Sequence, residues 1–149
     1  MPYPSEEKIV QRLKEVRPNL TFQFAEDPYS PFDVLSFNEK GEEHVLFELK
    51  SRTADKCKYV RRDKSLLVDQ QKIDSLAQIS KEKGIPSVLI QVLEDTGEIT
   101  AIRVTDENGK VNPKLQPKNV MANANTFWGG NKTSKGMMFY NLTDTHIIQ

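Results

Sequence analysis

Apolar and polar residues alternate along residues 44–52, HVLFELKSR. A period of two predicts a β-strand, because successive side chains of a strand point to opposite faces of the sheet. One face of this strand carries Val45, Phe47 and Leu49. The other face carries Leu46, Glu48, Lys50 and Arg52. The pattern therefore predicts a strand on which Glu48 and Lys50 share a face.

A second strand-like run, PFDVLSF, lies before this one, and the polar segment NEKGEE separates the two. Gly41 can supply the positive φ that tight turns need, so we expect a hairpin with a two-residue turn at Lys40 and Gly41. In that register the numbers of paired residues sum to 81, and Asp33 lies directly opposite Glu48. Their Cβ atoms would be about 5 Å apart, with both side chains on one face.

Two helices are predicted by apolar residues at helical spacing. Ser5 is placed to cap the first, which ends before Pro18 and carries Ile9, Leu13 and Val16 as its apolar stripe. Residues 65–84 predict the second, which Gly84 ends. Its inward residues are Leu67, Ile73, Leu76 and Ile79.

Further strands are predicted at residues 20–24, 87–93 and 98–104, so strands and helices interleave as in an α/β fold. We expect a single domain of residues 1–149, in which a core of about residues 5–106 precedes an Asn-rich, basic arm of about residues 107–149. The arm contains a strand-like run, MMFYNL. Its aromatic residues either stack on unpaired bases or pack onto the core; they are Phe127, Trp128, Phe139 and Tyr140.

Asp33 and Glu48 form the first candidate for chemistry. Two carboxylates this close repel each other unless a cation lies between them, and Mg²⁺ prefers such oxygen ligands. Lys50, two residues from Glu48, could stabilise charge that develops on a phosphate. The alternative is a solvated sheet face with alternating charges. Leu35 and Leu46 on the same faces favour the metal site, because an aspartate beside apolar residues must be paired or coordinated.

Charge is segregated along the chain, although the net charge is zero. Residues 50–64 hold seven basic and two acidic side chains, and residues 108–143 hold five lysines and no acid. Basic segments neutralise phosphates, and the first begins at the candidate metal site. We therefore expect DNA contacts from this segment; its candidates are Arg52, Lys56, Lys58, Arg61, Arg62 and Lys64. The alternative for each charged run is a solvated loop.

An aspartate, a hairpin-length gap and then Glu-x-Lys on an apolar strand resemble the PD-(D/E)xK nuclease superfamily. Here the motif comprises Pro31, Phe32 and Asp33, followed by Glu48, Leu49 and Lys50, with the proline one place earlier than in the family pattern. The resemblance covers about residues 5–105. It implies a restriction-endonuclease-like core with a mixed central sheet flanked by helices. It also implies that Asp33, Glu48 and the Leu49 carbonyl hold Mg²⁺ or Mn²⁺, with Lys50 beside the attacking water.

Two further site residues are implied by the same resemblance. In the Holliday-junction resolvases, whose layout is the most similar, a glutamate of the first helix completes the metal site. Glu6 is favoured for this role, and Glu7 is the neighbouring option. A glutamine after the Glu-x-Lys strand orients water or the metal shell in several branches, so Gln70 or Gln71 could do so here. The plain alternatives are helix-dipole acids and a polar pair on an exposed helix face.

The resemblance implies a metal-dependent endodeoxyribonuclease, with Holliday-junction resolution in DNA recombination by a homodimer as the closest activity. A restriction or repair nuclease on the same fold is one alternative, and a non-catalytic DNA-binding or assembly module is another. The composition fits an intracellular, cytoplasmic protein with no membrane segment. Cys57 is the only cysteine, and the residues MPYPSEEKIV lack the apolar stretch of a signal peptide. With so few Cys and His residues a zinc site is not expected, and His44 is expected at the surface.

Overall fold

The computed structural model describes residues 4–123 and 132–148. The helices are α1 (Pro4–Val16), α2 (Ala54–Asp63), α3 (Gln70–Lys83) and a 3₁₀ helix (Leu142–Asp144). The first strands are β1 (Thr21–Phe24), β2 (Val34–Phe37), β3 (Glu43–Arg52), β4 (Ser65–Asp69) and β5 (Ser87–Leu93). The remaining strands are β6 (Glu98–Thr105), β7 (Gln116–Asn123), β8 (Lys132–Asn141) and β9 (His146–Ile148).

Six strands form the central sheet in the order β1-β2-β3-β5-β6-β9. Strands β3 and β5 are parallel, and every other neighbouring pair in this sheet is antiparallel. Strands β4, β8 and β7 form a second, antiparallel sheet. This architecture confirms the predicted α/β fold with a mixed central sheet flanked by helices.

The two faces of strand β3 contribute to different parts of the protein. Phe47 and Leu49 join a core cluster with Ile9, Val10 and Leu13 of α1. On the far side, Leu89 of β5 belongs to a larger cluster that includes residues of α2, α3 and the second sheet. Burial of these apolar side chains is the main favourable term in folding. It also fixes which face of β3 turns its polar residues toward α3.

The hairpin between β2 and β3 has the predicted register but a different turn. Val34 pairs with Phe47 and Leu35 with Leu46, as a register sum of 81 requires. The connection, however, is a three-residue loop: Gly41, at φ +79°, donates its N–H to the carbonyl of Asn38. A β-bulge beside Phe37 absorbs the extra residue. The turn prediction was wrong, and the register survives because the bulge restores it.

Residues 50–69 differ from the sequence prediction in two ways. The expected basic loop contains helix α2, which ends at Lys64 in a left-handed conformation, φ +53°. The expected long helix begins only at Gln70, because the preceding residues form strand β4. The start signal is Asp69, whose side chain accepts a hydrogen bond from the N–H of Gln71 at 2.9 Å and caps α3. The sequence prediction joined strand β4, whose last residue is this cap, to the helix that follows it.

Helix α1 also begins slightly earlier than predicted, at Pro4, so Ser5 lies in its first turn and not before it. Proline is tolerated in a first helical turn, where the N–H groups have no partner within the helix. The predicted strands at residues 20–24, 87–93 and 98–104 correspond to β1, β5 and β6.

The segment after residue 106 supplies part of the larger core. Leu115, Met138 and Tyr140 are buried, and Tyr140 is 1% exposed. The first five residues of the run MMFYNL form the end of β8, and its leucine begins the 3₁₀ helix. Met138 pairs with Val68 of β4. Phe127 and Trp128 lie outside the described residues. Among the helices that the structure describes, none is long and apolar enough to cross a membrane.

Candidate active site

Asp33 and Glu48 meet where strand β2 begins. The backbone N–H of Asp33 donates to the carbonyl of Phe47 at 2.9 Å. Phe47 is the partner of Val34, so Asp33 lies just before the paired part of β2 and is not paired with Glu48 as the register of 81 predicted. The Asp33 Oδ2 then accepts the backbone N–H of Leu49 at 2.7 Å. Asp33 is therefore held on strand β3 by both its backbone and its side chain, beside Glu48.

Glu48 is a buried carboxyl group, 8% exposed. Its pKa is raised to about 7, first by burial and second by the neighbouring charge of Asp33, while the charge of Lys72 acts in the opposite direction. The Lys72 Nζ lies 3.5 Å from Glu48 Oε1. Within the described part of the chain, Glu48 Oε2 is buried and has no hydrogen-bond partner. A buried carboxylate oxygen without a donor, beside a second carboxylate, suits either a cation or a proton shared with Asp33.

Lys50 follows on the same face of β3, and its side chain is partly exposed. Partial burial lowers its pKa, and the charge of Arg52 lowers it further, whereas Glu48 raises it. An ammonium group with a lowered pKa gives up a proton more readily than an ordinary lysine. Lys50 therefore has the position and the electrostatics of a group that handles a phosphate or a water.

One cavity collects the acidic residues, and we call it the carboxylate cavity. It is lined by Glu6, Ile9, Asp33, Glu48, Leu49, Lys50 and Ser51. Glu6 belongs to this wall, whereas Glu7 is exposed and does not line it. Of the two acids on α1 left open by the sequence, the structure thus brings Glu6 toward Asp33 and Glu48. Ser51 Oγ is a second buried oxygen without a hydrogen-bond partner among the described residues.

The donor set of the carboxylate cavity fits a hard divalent cation. Asp33, Glu48 and Glu6 offer carboxylate oxygens, which Mg²⁺ and Mn²⁺ prefer over nitrogen or sulfur. The Leu49 N–H points to the β2 side of the strand, and in an extended strand the carbonyl of the same residue faces that side too. Over residues 4–123 and 132–148, no three His, Cys, Asp or Glu side chains are clustered so tightly that they could hold a metal by themselves.

A second cavity adjoins the first, with Glu48 and Lys50 in the wall of both; we call it the lysine cavity. Its lining is completed by Tyr29, Ser30, Pro31, Val68, Asp69, Gln71, Lys72, Ser75 and Leu89. Gln71 therefore faces the site. Gln70 lies instead against β8, where its Oε1 is 3.0 Å from the position a Cβ on Gly136 would take.

Lys72 was missed by the sequence reasoning. It borders the apolar stripe of Ile73 and Leu76 on α3, which gives a lysine at this position access to the sheet. With Gln71 and Ser75 it forms a polar edge along one side of the helix, as residues three and four apart do. The polar edge is visible in the sequence once the helix is known to begin at Gln70. Only the packing of α3 shows that this edge meets Glu48.

No protein-family model and no curated protein matches this chain. Among solved structures, it is similar to Hjc from Archaeoglobus fulgidus, a Holliday junction resolvase from an archaeal hyperthermophile. The two share 10% sequence identity with a TM-score of 0.55, over 93% of this chain and 82% of that chain.

The fold of this chain is similar to that of this solved structure. At 10% identity the likeness concerns the fold alone, which agrees with the mixed six-stranded sheet and its flanking helices. It does not by itself assign the residues of the site.

The predicted DNA-binding residues fall into different environments. The Arg52 side chain faces inward: its Nε donates to Gln91 Oε1 at 2.6 Å, and its Nη2 donates to the Leu67 carbonyl. Arg52 thereby connects β3 to both β5 and β4. This contact set is structural.

Most of the other bases are on helix α2 with acidic or aromatic neighbours. Arg61 pairs with Asp95, 3.2 Å away in the β5–β6 turn. Arg62 contacts Asp63 at 2.9 Å and also lies over the ring of Tyr59, 5.0 Å from its centroid.

Three lysines complete the set. Lys58 lies 3.9 Å from Asp55, and both side chains are largely exposed. Lys56 is exposed and close enough to Lys50 to lower its pKa, which places it on the side of the active site. Lys64 is exposed at the end of α2. Of these three lysines, Lys56 is the one whose charge acts on Lys50.

Proposed function

We propose that this chain is a metal-dependent endodeoxyribonuclease of the PD-(D/E)xK type that hydrolyses DNA phosphodiesters. The observation that carries the proposal is the buried Glu48 carboxylate beside Asp33, with one oxygen that lacks a partner among the described residues. Lys50 stands two residues along the same strand face. A solvated sheet face would leave both carboxylates in water and would not raise the pKa of Glu48 to about 7.

The proposed metal ligands are Asp33, Glu48, Glu6 and the carbonyl of Leu49. When bound there, Mg²⁺ or Mn²⁺ would supply Lewis acidity toward a phosphate oxygen and would lower the pKa of a coordinated water. Asp33 keeps one oxygen for this task, because the other accepts the Leu49 N–H. That hydrogen bond also fixes the direction of the remaining oxygen.

The other residues act on the substrate. Lys50 would stabilise negative charge that develops on the phosphate, in a position next to the carboxylates. Gln71 would orient a water from the lysine cavity, whose wall it shares with Lys50. Lys56 would hold a neighbouring phosphate of the backbone, since it is exposed beside Lys50.

Branched DNA is the substrate that we propose, because the fold resembles that of a Holliday junction resolvase. A four-way junction presents two equivalent strands for cleavage, and a homodimer places two sites symmetrically. We therefore propose a homodimer, which light scattering after size exclusion would detect as a mass of twice the 17.0 kDa of the chain.

The test is a cleavage assay with Mg²⁺ and with Mn²⁺ on linear duplex, single-stranded, flapped and four-way DNA. We expect metal-dependent cleavage that is abolished in Asp33→Asn and Glu48→Gln. Lys50→Met should lose about 10²-fold or more, the magnitude typical for removal of a group that stabilises transition-state charge.

Two matched controls accompany these variants. Glu7→Gln removes an acid next to Glu6 that does not line the cavity, and Lys81→Met removes an exposed lysine of α3. Both should cleave like the wild type. Full activity in Asp33→Asn or Glu48→Gln contradicts the proposed site. Equal cleavage of linear and four-way DNA keeps the nuclease but removes the resolvase, and binding without cleavage of any substrate favours a DNA-binding module.

A further inference from the structure

Lys72 contacts one of the two carboxylate oxygens of Glu48. The pair joins Lys72 Nζ to Glu48 Oε1 at 3.5 Å, with side-chain exposures of 36% and 11%. The other carboxylate oxygen, Oε2, is the buried atom without a hydrogen-bond partner in the described structure. A single ammonium group thus balances a carboxylate that also has Asp33 as a neighbour.

We propose that Lys72 is a built-in counter-cation that competes with the divalent metal for Glu48, and that it binds a substrate phosphate once the metal takes its place. This inference rests on the proposed nuclease function and deepens it. The inference adds Lys72, which lies outside the three-residue motif, to the site. Lys72 would contact the Glu48 carboxylate before the metal binds and a substrate phosphate afterwards.

The first half follows from charge at the site. Without metal, Asp33 and Glu48 place two acidic groups together at the start of β2, and their repulsion is reduced by the ammonium of Lys72. A divalent ion on the Asp33 side repels that ammonium and supplies a larger charge to the same carboxylate. Both effects weaken the ion pair between Glu48 and Lys72 when metal binds.

The second half follows from the lysine cavity. Lys50 and Lys72 both line it. The positive charge of Lys72 contributes slightly to the lowered pKa of Lys50. A phosphate between the two ammonium groups would relieve this repulsion. Gln71 and Ser75 of α3 add neutral hydrogen-bonding groups to the same wall. The cavity therefore suits an anion that arrives next to the carboxylates.

Calorimetric titration with Mn²⁺ tests the competition without any cleavage. Lys72→Met should bind Mn²⁺ about two- to fivefold more tightly than the wild type, the factor expected when an ion pair of this exposure no longer has to be broken. Lys72→Gln should shift affinity in the same direction. Lys81→Met, on the same helix and exposed, should bind as the wild type does.

Unfolding in urea provides a second readout on the same proteins. Lys72→Met should be less stable than the wild type in EDTA, because it leaves the two carboxylates without their counter-cation. At saturating Mn²⁺ this difference in stability should shrink or vanish, because the metal and not Lys72 then neutralises Glu48. A purely structural lysine would cost the same stability in both conditions.

Steady-state cleavage of four-way DNA at saturating Mn²⁺ tests the phosphate contact. Lys72→Met should raise KM severalfold, with a smaller change in kcat, because one phosphate contact is lost. An unchanged KM overturns this half of the proposal.

The inference and the underlying function fail in different ways. If wild type and Lys72→Met bind Mn²⁺ equally, while Glu48→Gln abolishes binding, the competition is wrong and the metal site stands. If no form of the protein binds Mn²⁺, with or without DNA, both the competition and the metal-dependent function are overturned.

Discussion

The Asp33 carboxylate accepts a hydrogen bond from the backbone N–H of Leu49 at 2.7 Å. Asp33 lies one residue before Val34, the first paired residue of β2. A carboxylate here takes the place that a further strand residue would have in the ladder. The hydrogen bond joins Asp33 to strand β3, which carries Glu48. The geometry of the candidate site therefore depends on a backbone contact as well as on side chains.

This contact allows the structural and metal-binding roles of Asp33 to be separated. Asp33→Asn keeps an acceptor for the Leu49 N–H, whereas Asp33→Ala removes it, and both remove the charge. We expect the asparagine variant to be more stable than the alanine variant by about 1–3 kcal/mol, the cost of a buried donor left unpaired. Urea unfolding of the two variants measures this difference.

Both Asp33 variants should lose Mn²⁺ binding in calorimetry, because a neutral side chain is a poor substitute for a carboxylate ligand. Equal stabilities of the two variants would show that the hydrogen bond to Leu49 contributes little. Retained Mn²⁺ affinity in Asp33→Asn would remove Asp33 from the ligand set.

Stability of the metal-free protein should depend on pH through Glu48. Its pKa rises from the usual 4.5 to about 7 on folding, so the folded state holds a proton that the unfolded state releases. Stability therefore falls as pH rises from about 4.5 to about 7, by roughly 3 kcal/mol at most. Below that window the contribution is neutral, and above it the loss is complete.

Glu48→Gln removes this titration and should flatten the pH dependence between 4.5 and 7 relative to the wild type. Urea unfolding at a series of pH values in EDTA gives both curves. Saturating Mg²⁺ should also flatten the wild-type curve, because a bound cation favours the ionised carboxylate. Parallel curves for wild type and Glu48→Gln would show that the pKa of Glu48 is close to its usual value.

Arg52 and Lys56 should behave differently although both belong to the basic segment. Arg52→Met breaks the contacts to Gln91 and to the Leu67 carbonyl, and we expect a loss of about 2–4 kcal/mol in unfolding free energy. Lys56→Met should leave stability unchanged and weaken DNA binding, because the residue is exposed.

The salt dependence of DNA binding distinguishes the two roles. Lys56→Met should reduce the slope of log affinity against log salt by roughly 0.9, the effect of one lost phosphate contact. Arg52→Met should not change that slope under conditions where it stays folded. A reduced slope for Arg52→Met would assign a DNA contact to this residue after all.

Tyr140 provides a test of how β8 is attached to the central sheet. The Gln91 Nε2 donates to the Tyr140 hydroxyl, and both residues are 1% exposed. Tyr140→Phe removes the acceptor and leaves a buried amide N–H unpaired, so we expect a loss of about 1–3 kcal/mol. Phe139→Leu, on the partly exposed face of the same strand, is the matched control and should cost less. Urea unfolding measures both.

The alternation at residues 44–52 was sufficient to predict β3 and its two faces, because side chains on a strand have a period of two whatever their surroundings. The Asp33–Glu48 proximity also followed from the sequence, since the apolar pattern fixes a register more strongly than the turn does. The turn itself was mispredicted, and the bulge beside Phe37 compensated for it.

The sequence by itself determined the α/β class, the strand carrying Glu48 and Lys50, and the acids that we propose as metal ligands. Tertiary structure alone decided between neighbours such as Glu6 and Glu7 or Gln70 and Gln71, because adjacent helical residues differ by about 100° in direction and only packing shows which one meets the sheet. It also turned Arg52 inward and brought Lys72 to Glu48. These contacts join residues distant in sequence, and no local pattern specifies them.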